Sequence, residues 1–508
     1  MSKNYGYGRQ VIYIDETEIT DENICKIIKE TFYKHKINSE AQKELFDYEK
    51  GKQPILDRKK DIRPEINHKL VDNEASKIVD FKLGYEFGNP INLVQRAKVE
   101  PCKNGKQDKY TDDDIKIALL NEMFVEEDKE SKDNKCARDF LVSGLGYKMA
   151  LAKKDVNGVS VFDYVIPNPL TTYIVRTNDV FRRKILGVTY SVSEKGKRIK
   201  LGAYTDDAYY YFDGTFKKYK FKEENGIGKI PIVEYYYNHD RMCCFEKVIP
   251  LIDYKNIVNS DRLNDISQHV QSLLWMNDCE LEDDDKQKVA TSGGLIITRT
   301  TPEGKTPIIN YISQVLNQSE IQTFADHLKD QIMEQAGVPT KGDTGGGSTG
   351  SAMSLSNGWA TAEQLAKVTE SIYKQSEMEF LDLVLTIIKN SNEVKNNEIK
   401  KLELSDIGIK FARNKTYDLG TKVNALATLL NSGVDGLRAF EVIDLFPDTQ
   451  QAFLDSRENI EKKQGYNKEE QEKDVDFDNK KLNEVPNTDK RIMNDLSDNY
   501  EQSPIAKL

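Results

Sequence analysis

The spacing of apolar residues changes twice along this chain, and that change limits the possible folds more than any other feature. Before residue 146 and again after residue 249, apolar residues recur every three to four positions, which predicts amphipathic helices. Between 146 and 237, β-branched and aromatic runs predict strands, and Asp213-Gly214 separates two of them as a hairpin turn would. We therefore expect an α+β protein, mainly helical, with an antiparallel β unit between its helical parts.

The limits of the individual elements follow from caps, glycines and prolines. In the first half, helices are predicted within residues 1–60, over 67–87 and after the acidic cap at 111–114. In the second half, the pattern predicts a helix over 249–277, strands over 293–300 and 307–313, a helix over 319–335, a long helix over 357–390, a strand over 409–412 and helices over 422–430 and 435–445.

The predicted helix 249–277 has two unlike sides. Its apolar stripe includes Tyr254, Val258 and Ile266. The opposite side carries only amide side chains, at Asn256, Asn259, Asn264 and Gln268. We expect that side to face water or a polar partner.

Composition excludes several classes of protein. The longest good apolar stretch, Leu383–Ile388, is far shorter than the roughly 18 residues of a membrane helix, and the first residues lack the apolar core of a secretory signal. The chain has 73 Lys and Arg against 84 Asp and Glu, a net charge of −11, which disfavours a grip on nucleic acid through its phosphates. The six cysteines and five histidines have no zinc or disulfide spacing, which predicts reduced thiols, no metal site and no cofactor.

Two further segments have the composition of a binding site but not its residue pattern. The Gly/Ser-rich segment 341–351 does not match a phosphate-binding loop, because Lys341 precedes the glycines instead of following them. The acidic run 280–285 lacks the glycine and distal glutamate of a calcium loop and is expected to be a solvated turn. No catalytic motif is present, so the sequence does not predict an enzyme. Residues 466–508 carry many charges and few periodic apolar residues, which predicts a disordered acidic tail.

Three segments carry a family resemblance, and they occur in the family's order. They are NHKLVDNEASKIVDFKLGYEFGNPI (67–91), with its K-x-G-Y-x-x-G-x-P pattern, GKIPIVEYYYN (228–238) with EKVIPLIDYKNIVNSDRLNDI (246–266), and IKFARNKTYDLGTKVNALATLLNSGVDGLRAFEVIDLFPD (409–448). On these motifs the chain resembles the portal proteins of tailed bacteriophages of the long-tailed, siphophage type. The resemblance implies a ring-forming portal fold with wing, stem, clip and crown.

The resemblance also implies a division of the chain. It assigns a wing (1–248), a stem helix (249–277), a clip (278–318), a second stem helix (319–336), a tunnel loop (337–356), a long wing and crown helix (357–395), a crown with C-terminal helices (396–465) and the acidic tail (466–508).

Two sets of site residues follow from this division. The tunnel loop would bring Lys341, Asp343, Gly345, Gly346, Gly347, Ser348 and Thr349 toward DNA. The clip would use Leu295, Ile296, Ile297 and Arg299 to dock the terminase and later the tail adaptor. The loop has no aromatic side chain, so it is not expected to hold DNA tightly.

The implied function is a channel at the portal vertex of the virion, assembled in the bacterial host cytoplasm, through which double-stranded DNA is packaged and ejected. The implied partners are other copies of the chain, twelve in all, the terminase large subunit, a head–tail adaptor, and the major capsid and scaffolding proteins; no membrane is involved. Two alternatives remain open. One is another virion structural protein, such as an adaptor or minor capsid protein. The other, less favoured, is a packaging enzyme, for which the Walker A lysine and an acidic nuclease cluster are missing.

Overall fold

The computed structural model divides the chain into two compact units, Met1–Asn414 and Lys415–Leu508. It describes residues 7–61, 64–96, 113–154, 158–193, 198–214, 216–270, 273–277, 295–298, 308–312, 318–340, 358–411, 413, 419–443, 445–446, 452–453, 456 and 459–460. The tail 466–508 therefore lies outside the described residues.

The helices of the first unit are α1 (Ile24–Glu49), α2 (Glu74–Phe87), α3 (Asp113–Glu126), α4 (Lys129–Ser143), α5 (Ile249–Val270), α6 (Gln318–Ala336) and α7 (Trp359–Asn390). The second unit contains α8 (Leu419–Asn431) and α9 (Gly436–Ile443), which pack around Leu426, Ala439 and Phe440. The predicted helices over 319–335, 357–390, 422–430 and 435–445 are confirmed to within a few residues.

The strands are β1 (Ile12–Ile14), β2 (Ile91–Gln95), β3 (Leu145–Ala152), β4 (Phe162–Val165), β5 (Thr172–Thr177), β6 (Lys184–Val192), β7 (Ile199–Tyr204), β8 (Ala208–Asp213), β9 (Phe221–Glu224), β10 (Ile232–Tyr236), β11 (Leu273–Asn277), β12 (Leu295–Thr298), β13 (Ile308–Ile312) and β14 (Ile407–Phe411). They form four sheets, with the orders β1-β5-β6-β7-β8-β9, β10-β3-β4, β12-β11-β13 and β14-β2. Helices and largely antiparallel sheets thus confirm the α+β prediction.

The predicted β unit consists of two sheets. In the six-stranded sheet, β5 to β9 are antiparallel neighbours, and Gly214, with φ of +93°, begins the connection from β8 to β9. Strand β1 was not predicted; it joins β5 in parallel, with Ile12 opposite Val175. This pairing places α1 over the sheet, where its buried Ile24, Ile27 and Ile28 share a core with β5, β6 and β8.

The larger core lies where α7 packs on β3, β10 and α4. Phe380, Leu381 and Val384 of α7 are buried there, together with Phe140 of α4 and Tyr235 of β10. Their nearly complete removal from water is the main source of stability for this helix, at about 25 cal/mol for each Å² of apolar surface.

Two predicted boundaries are wrong. The helix predicted over 67–87 begins only at Glu74, and residues 67–73 are not helical. The stem helix predicted over 249–277 ends at Val270, and Leu273–Asn277 forms β11 instead. In the second case, β11 gains two hydrogen-bonded neighbours in the sheet, β12 and β13, that a continued helix would not have.

A buried set of charged side chains joins α7 to β3 and α4. The Lys148 ammonium on β3 is fully buried and lies 2.6 Å from both Asp133 Oδ1 and Glu377 Oε2. It also donates a hydrogen bond to Tyr373 Oη at 2.8 Å. Lys129 pairs with Asp133 and lies 3.4 Å from Glu377 Oε1. Two cations therefore balance two carboxylates out of contact with water, and we call these five residues the Lys148 network.

Two tyrosines donate further hydrogen bonds to the carboxylates. Tyr164 of β4 donates to Asp133 Oδ1 at 2.7 Å, and Tyr235 of β10 donates to Glu377 Oε2 at 2.6 Å. Burial alone would raise the pKa of the Asp133 carboxyl, but the ammonium groups of Lys129 and Lys148 lower it from 3.8 to about 2. Burial likewise opposes the charge of Lys148, but the two carboxylates raise its pKa above the usual range. Asp133 and Lys148 therefore stay ionised at neutral pH.

We expect Lys148→Met to lower the free energy of unfolding by roughly 3–5 kcal/mol, because it leaves Asp133 and Glu377 buried with half of their balancing charge. Chemical or thermal unfolding of the purified chain measures this. The control is Lys222→Met, which removes an exposed ion pair to Asp21 and should change the unfolding curve little. Equal effects of the two substitutions would show that the network does not stabilise the fold.

The same network predicts the response to acid. A carboxyl whose pKa is lowered by folding stabilises the fold above its ordinary pKa and loses that contribution as it becomes protonated. The pKa of Asp133 falls from 3.8 to about 2, so the wild-type chain should lose stability across that interval. Lys148→Met should lose less there, because one of the two cations that lower the pKa is gone.

Candidate functional site

The polar side of α5 binds the backbone of the segment that leads into α2. Three hydrogen bonds repeat along it: Asn256 Oδ1 accepts from the N–H of Asp72 at 2.8 Å, Ser260 Oγ from Leu70 at 2.9 Å, and Asn264 Oδ1 from His68 at 2.7 Å. All three helix side chains are buried. We call this set the α5 ladder.

The two spacings match. Four residues of an α-helix advance about 6 Å, and two residues of an extended chain advance about 6.6 Å. Every fourth residue of α5 can therefore meet every second N–H of the segment 68–72. This match explains why the segment is extended, because a helix there would withdraw the N–H groups that α5 needs. The polar partner expected for Asn256 and Asn264 is thus the chain's own backbone.

The start of α2 is held from the same helix. Lys255, which is buried on α5, donates to Asp72 Oδ2 at 2.5 Å and also pairs with Glu74. Asn256 donates to Gln53, which in turn donates to Asn73 Oδ1 at 3.0 Å. From Lys255 to Asn264, polar contacts therefore join α5 to the start of α2 and to the segment before it.

Several apolar side chains of α5 are open to solvent in the single chain. Between residues 255 and 267 every buried side chain is polar: Lys255, Asn256, Ser260 and Asn264. By contrast, Tyr254, Ile257, Leu263 and Ile266 are between 38% and 63% exposed. Helix α6 packs beside α5 through its buried Ala325, Leu328 and Ile332 and leaves Phe324 exposed. The polarity of α5 is thus the reverse of that of an ordinary surface helix.

The predicted clip, 278–318, contributes β12 and β13 to a small sheet whose central strand, β11, lies in the segment predicted as the end of the stem helix. Strand β12 pairs with β11 in parallel, with Ile296 opposite Trp275, and β13 pairs on the other side, antiparallel. The two short predicted strands therefore find their partner within the chain. Leu295, Ile296 and Ile297 lie on β12, whereas Arg299 lies outside the described residues.

The predicted tunnel-loop residues, from Lys341 to Thr349, also lie outside the described residues. The positions on either side of them are described, and they come together. A β-carbon built on Gly358 would lie 3.6 Å from Pro339 Cα. Gly337 and Gly358 have φ of +68° and +81°, a backbone conformation that favours glycine. The segment 341–357 therefore begins and ends at one place on the molecule.

Helix α2 provides the surface at that place. The rings of Phe81 and Tyr85 stack at 5.5 Å, and Trp359, the first residue of α7, lies 5.8 Å from the first and 5.7 Å from the second. Tyr85 donates to Glu363 Oε2 at 2.7 Å. Arg413 pairs with Glu363 and with Glu370. Sequence reasoning did not assign roles to these residues, although Tyr85 belongs to the K-x-G-Y pattern.

The same pattern places a buried acid between α2 and α7. Burial raises the pKa of Glu86 to about 7, against the opposing effect of Lys82 and Arg413 and of a hydrogen bond from Thr369 of α7. Gly88 ends α2, and a β-carbon there would lie 2.2 Å from the carbonyl oxygen of Gly84, so only glycine fits. The pattern therefore shapes the contact of α2 with α7 and the exit of the chain into β2.

The α5 ladder predicts an effect that can be assigned to single amides. We expect Asn264→Ala to accelerate hydrogen exchange at His68, Ser260→Ala at Leu70 and Asn256→Ala at Asp72, each with a loss of roughly 1–3 kcal/mol because a buried N–H loses its acceptor. Hydrogen exchange followed at single-residue resolution measures this. Asn259→Ala, on the same helix but outside the ladder, is the control. Uniform acceleration over 67–73 in all four variants would contradict one-to-one pairing.

Neither a membrane-spanning helix nor a metal-binding cluster is found in the described ranges. No helix there has the length and apolar character to cross a membrane. No set of three His, Cys, Asp or Glu side chains there is arranged to hold a metal ion.

Comparison with known proteins agrees with the fold and the motifs. No individual curated protein matches the sequence. The family model described as phage portal protein, SPP1 Gp6-like, matches residues 28–435, which include most of α1, helices α2 to α8 and strands β2 to β14. Portal proteins are structural, form oligomeric rings with the capsid and DNA, and occupy the capsid vertex. Since the match covers most of its length, the chain belongs to the SPP1 Gp6-like family of phage portal proteins.

Proposed function

We propose that twelve copies of the chain form a ring whose central channel carries double-stranded DNA into and out of the capsid. In this proposal the ring is assembled in the host cytoplasm, contacts the major capsid and scaffolding proteins, and binds first the terminase large subunit and then a head–tail adaptor. Helices α5 and α6 form the stem, the β12-β11-β13 sheet forms the core of the clip, and the segment 341–357 faces DNA.

The reversed polarity of α5 carries this proposal. Its polar side is consumed by hydrogen bonds to residues 68–72, so that side cannot be the one that meets another subunit. Its apolar residues are left on the outside, where each exposed Å² costs about 25 cal/mol relative to burial. A neighbouring copy that covers Ile257 and Ile266 removes that cost. Because a ring uses different faces on its two sides, the neighbour's contact surface need not be the same helix.

The clip proposal rests on the sheet. Among the described residues, β12 and β13 are the two outer strands of this sheet, and each has an edge that pairs with no described strand. Such edges can accept a strand or loop from another protein. We propose that Leu295, Ile296, Ile297 and Arg299 contribute to the surface that binds the terminase and the adaptor.

The proposal for the segment 341–357 rests on its two ends. The residues that flank it, Pro339 and Gly358, lie together, and Trp359 next to Gly358 contacts the aromatic residues of α2. The two ends of the segment are therefore held close to each other. Lys341 and Asp343 offset each other in charge, which leaves little net attraction for a polyanion. Gly345, Gly346 and Gly347, followed by Ser348 and Thr349, favour movement over binding.

The ring is tested at Ile266. We expect the wild-type chain to form closed rings, and Ile266→Lys to prevent or strongly weaken them, because a lysine on the covered face would lose its hydration. Native mass spectrometry and end-on negative-stain images measure this. Val180→Lys, at a residue that is 95% exposed on a β turn, is the matched control and should form rings normally. Wild-type monomers at every salt and protein concentration, or normal rings of Ile266→Lys, would contradict the stem assignment.

The segment 341–357 is tested by stiffening it. Replacing Gly345, Gly346 and Gly347 by prolines should stop DNA packaging or retention while rings still form, because proline removes the backbone freedom that glycine supplies. Replacing the same three by serines is the matched control and should package DNA. Lys341→Ala should have a smaller effect that depends on salt. An in vitro packaging assay decides; normal packaging with the three prolines would make the segment a passive connection.

A further inference from the structure

A groove with an aromatic floor lies on the outer side of α1, apart from the stem, the clip and the segment 341–357. It has a volume of about 510 Å³, which is within the range of protein binding pockets. Its floor is Phe32 and Phe216, whose ring centroids are 4.9 Å apart, and Tyr33 stands at its edge with 70% of its surface exposed. A single chain thus leaves large aromatic side chains open to water here.

The rim of the groove is basic, although the chain as a whole is acidic. Lys26, Lys29 and Lys36 line it from successive turns of α1, and the exposed Lys217 and Lys218 directly follow Phe216. Of these five, Lys26 lies 3.2 Å from Glu16, and Lys36 lies 3.8 Å from Glu40. Lys29, Lys217 and Lys218 make no ion pair with any described residue.

The acid that lines the groove does not cancel this charge. Glu30 is its only carboxylate among the described lining residues, and it already pairs with Lys34 at 3.0 Å. In a protein with a net charge of −11, a cluster of unpaired lysines around apolar rings is a local reversal of the overall field. It attracts an acidic partner and repels other parts of the same acidic surface.

We propose that this groove binds an acidic amphipathic helix of another protein, whose apolar side chains fill the aromatic floor while its carboxylates meet Lys29, Lys217 and Lys218. A helix fits because the lining residues Lys29, Tyr33 and Lys36 recur along α1 at spacings of four and three, which the side chains of a second helix laid beside it can follow. Nucleic acid is the less favoured occupant, because phosphates gain nothing from the phenylalanine floor and Glu30 repels them. The proposal does not depend on the ring.

The test uses two synthetic helical peptides on the full-length chain. Both carry leucine and phenylalanine at positions i, i+3, i+4 and i+7; one has glutamate at its remaining positions and the other has lysine. Fluorescence anisotropy should show binding of the glutamate peptide at micromolar concentration and no binding of the lysine peptide. Lys29→Glu combined with Lys217→Glu and Lys218→Glu should weaken binding of the glutamate peptide at least about tenfold. Tyr33→Ser should also weaken its binding, because it removes the aromatic edge of the groove.

The matched control reverses three exposed lysines that do not line the groove, Lys50, Lys389 and Lys395, and should bind the glutamate peptide as the wild type does. The thermal midpoint of each variant confirms that it is folded; all the changed side chains are exposed, so no loss of fold is expected. Three results would overturn the proposal. The first is no binding of the glutamate peptide, and the second is equal binding after reversal of the groove lysines. The third is binding of labelled duplex DNA that the same reversal reduces more strongly than it reduces peptide binding.

Discussion

The Lys148 network is the interaction on which the arrangement of the first unit depends. Together with Tyr164 and Tyr235, it joins α4, three strands of one small sheet and the long helix α7, and it requires all of them at hydrogen-bond distance. A buried ion pair adds less stability than an apolar core of the same size, but a misplaced one is very costly. The network therefore discriminates against other positions of α7 along the sheet. Any register that separates Glu377 from Lys148 leaves charge without a partner.

Helix α5 shows the same use of polar groups to select one arrangement, with a different result at the surface. Its asparagines and serine are committed to the extended segment 68–72, so the helix cannot rotate to hide its apolar residues without breaking three buried hydrogen bonds. Rotation would lower the exposed apolar area of one chain but would leave backbone N–H groups unpaired. The chain thus keeps Ile257 and Ile266 outside, and association with another copy is the remaining way to cover them.

The sequence predicted the elements that local spacing determines. Helices α6 and α7 and strands β5, β6 and β8 were predicted because their apolar residues recur regularly. Strand β11 was not, since Leu273, Leu274 and Trp275 continue the apolar pattern of α5 and only β12 and β13 distinguish strand from helix. The stretch 67–73 was predicted helical because its partner, α5, is almost 200 residues away, with His68 and Asn264 separated by 196 positions. The Lys148 network has no local signal at all, since Lys148 and Glu377 are 229 residues apart.

Helix α2 contacts both α5, which precedes the predicted clip in the chain, and α7, which follows the predicted tunnel loop. Its N-terminal end is bound to α5 through Lys255, and its second half carries Phe81 and Tyr85, which contact Trp359 at the start of α7. A rotation of α5 therefore pulls on α2 directly, and α2 cannot shift without disturbing Trp359 and the contact of Tyr85 with Glu363. Helix α7 itself is held farther along by the Lys148 network. The stretch from Trp359 to Tyr373, which also carries the ion-pair partners of Arg413, therefore links α2 to the Lys148 network.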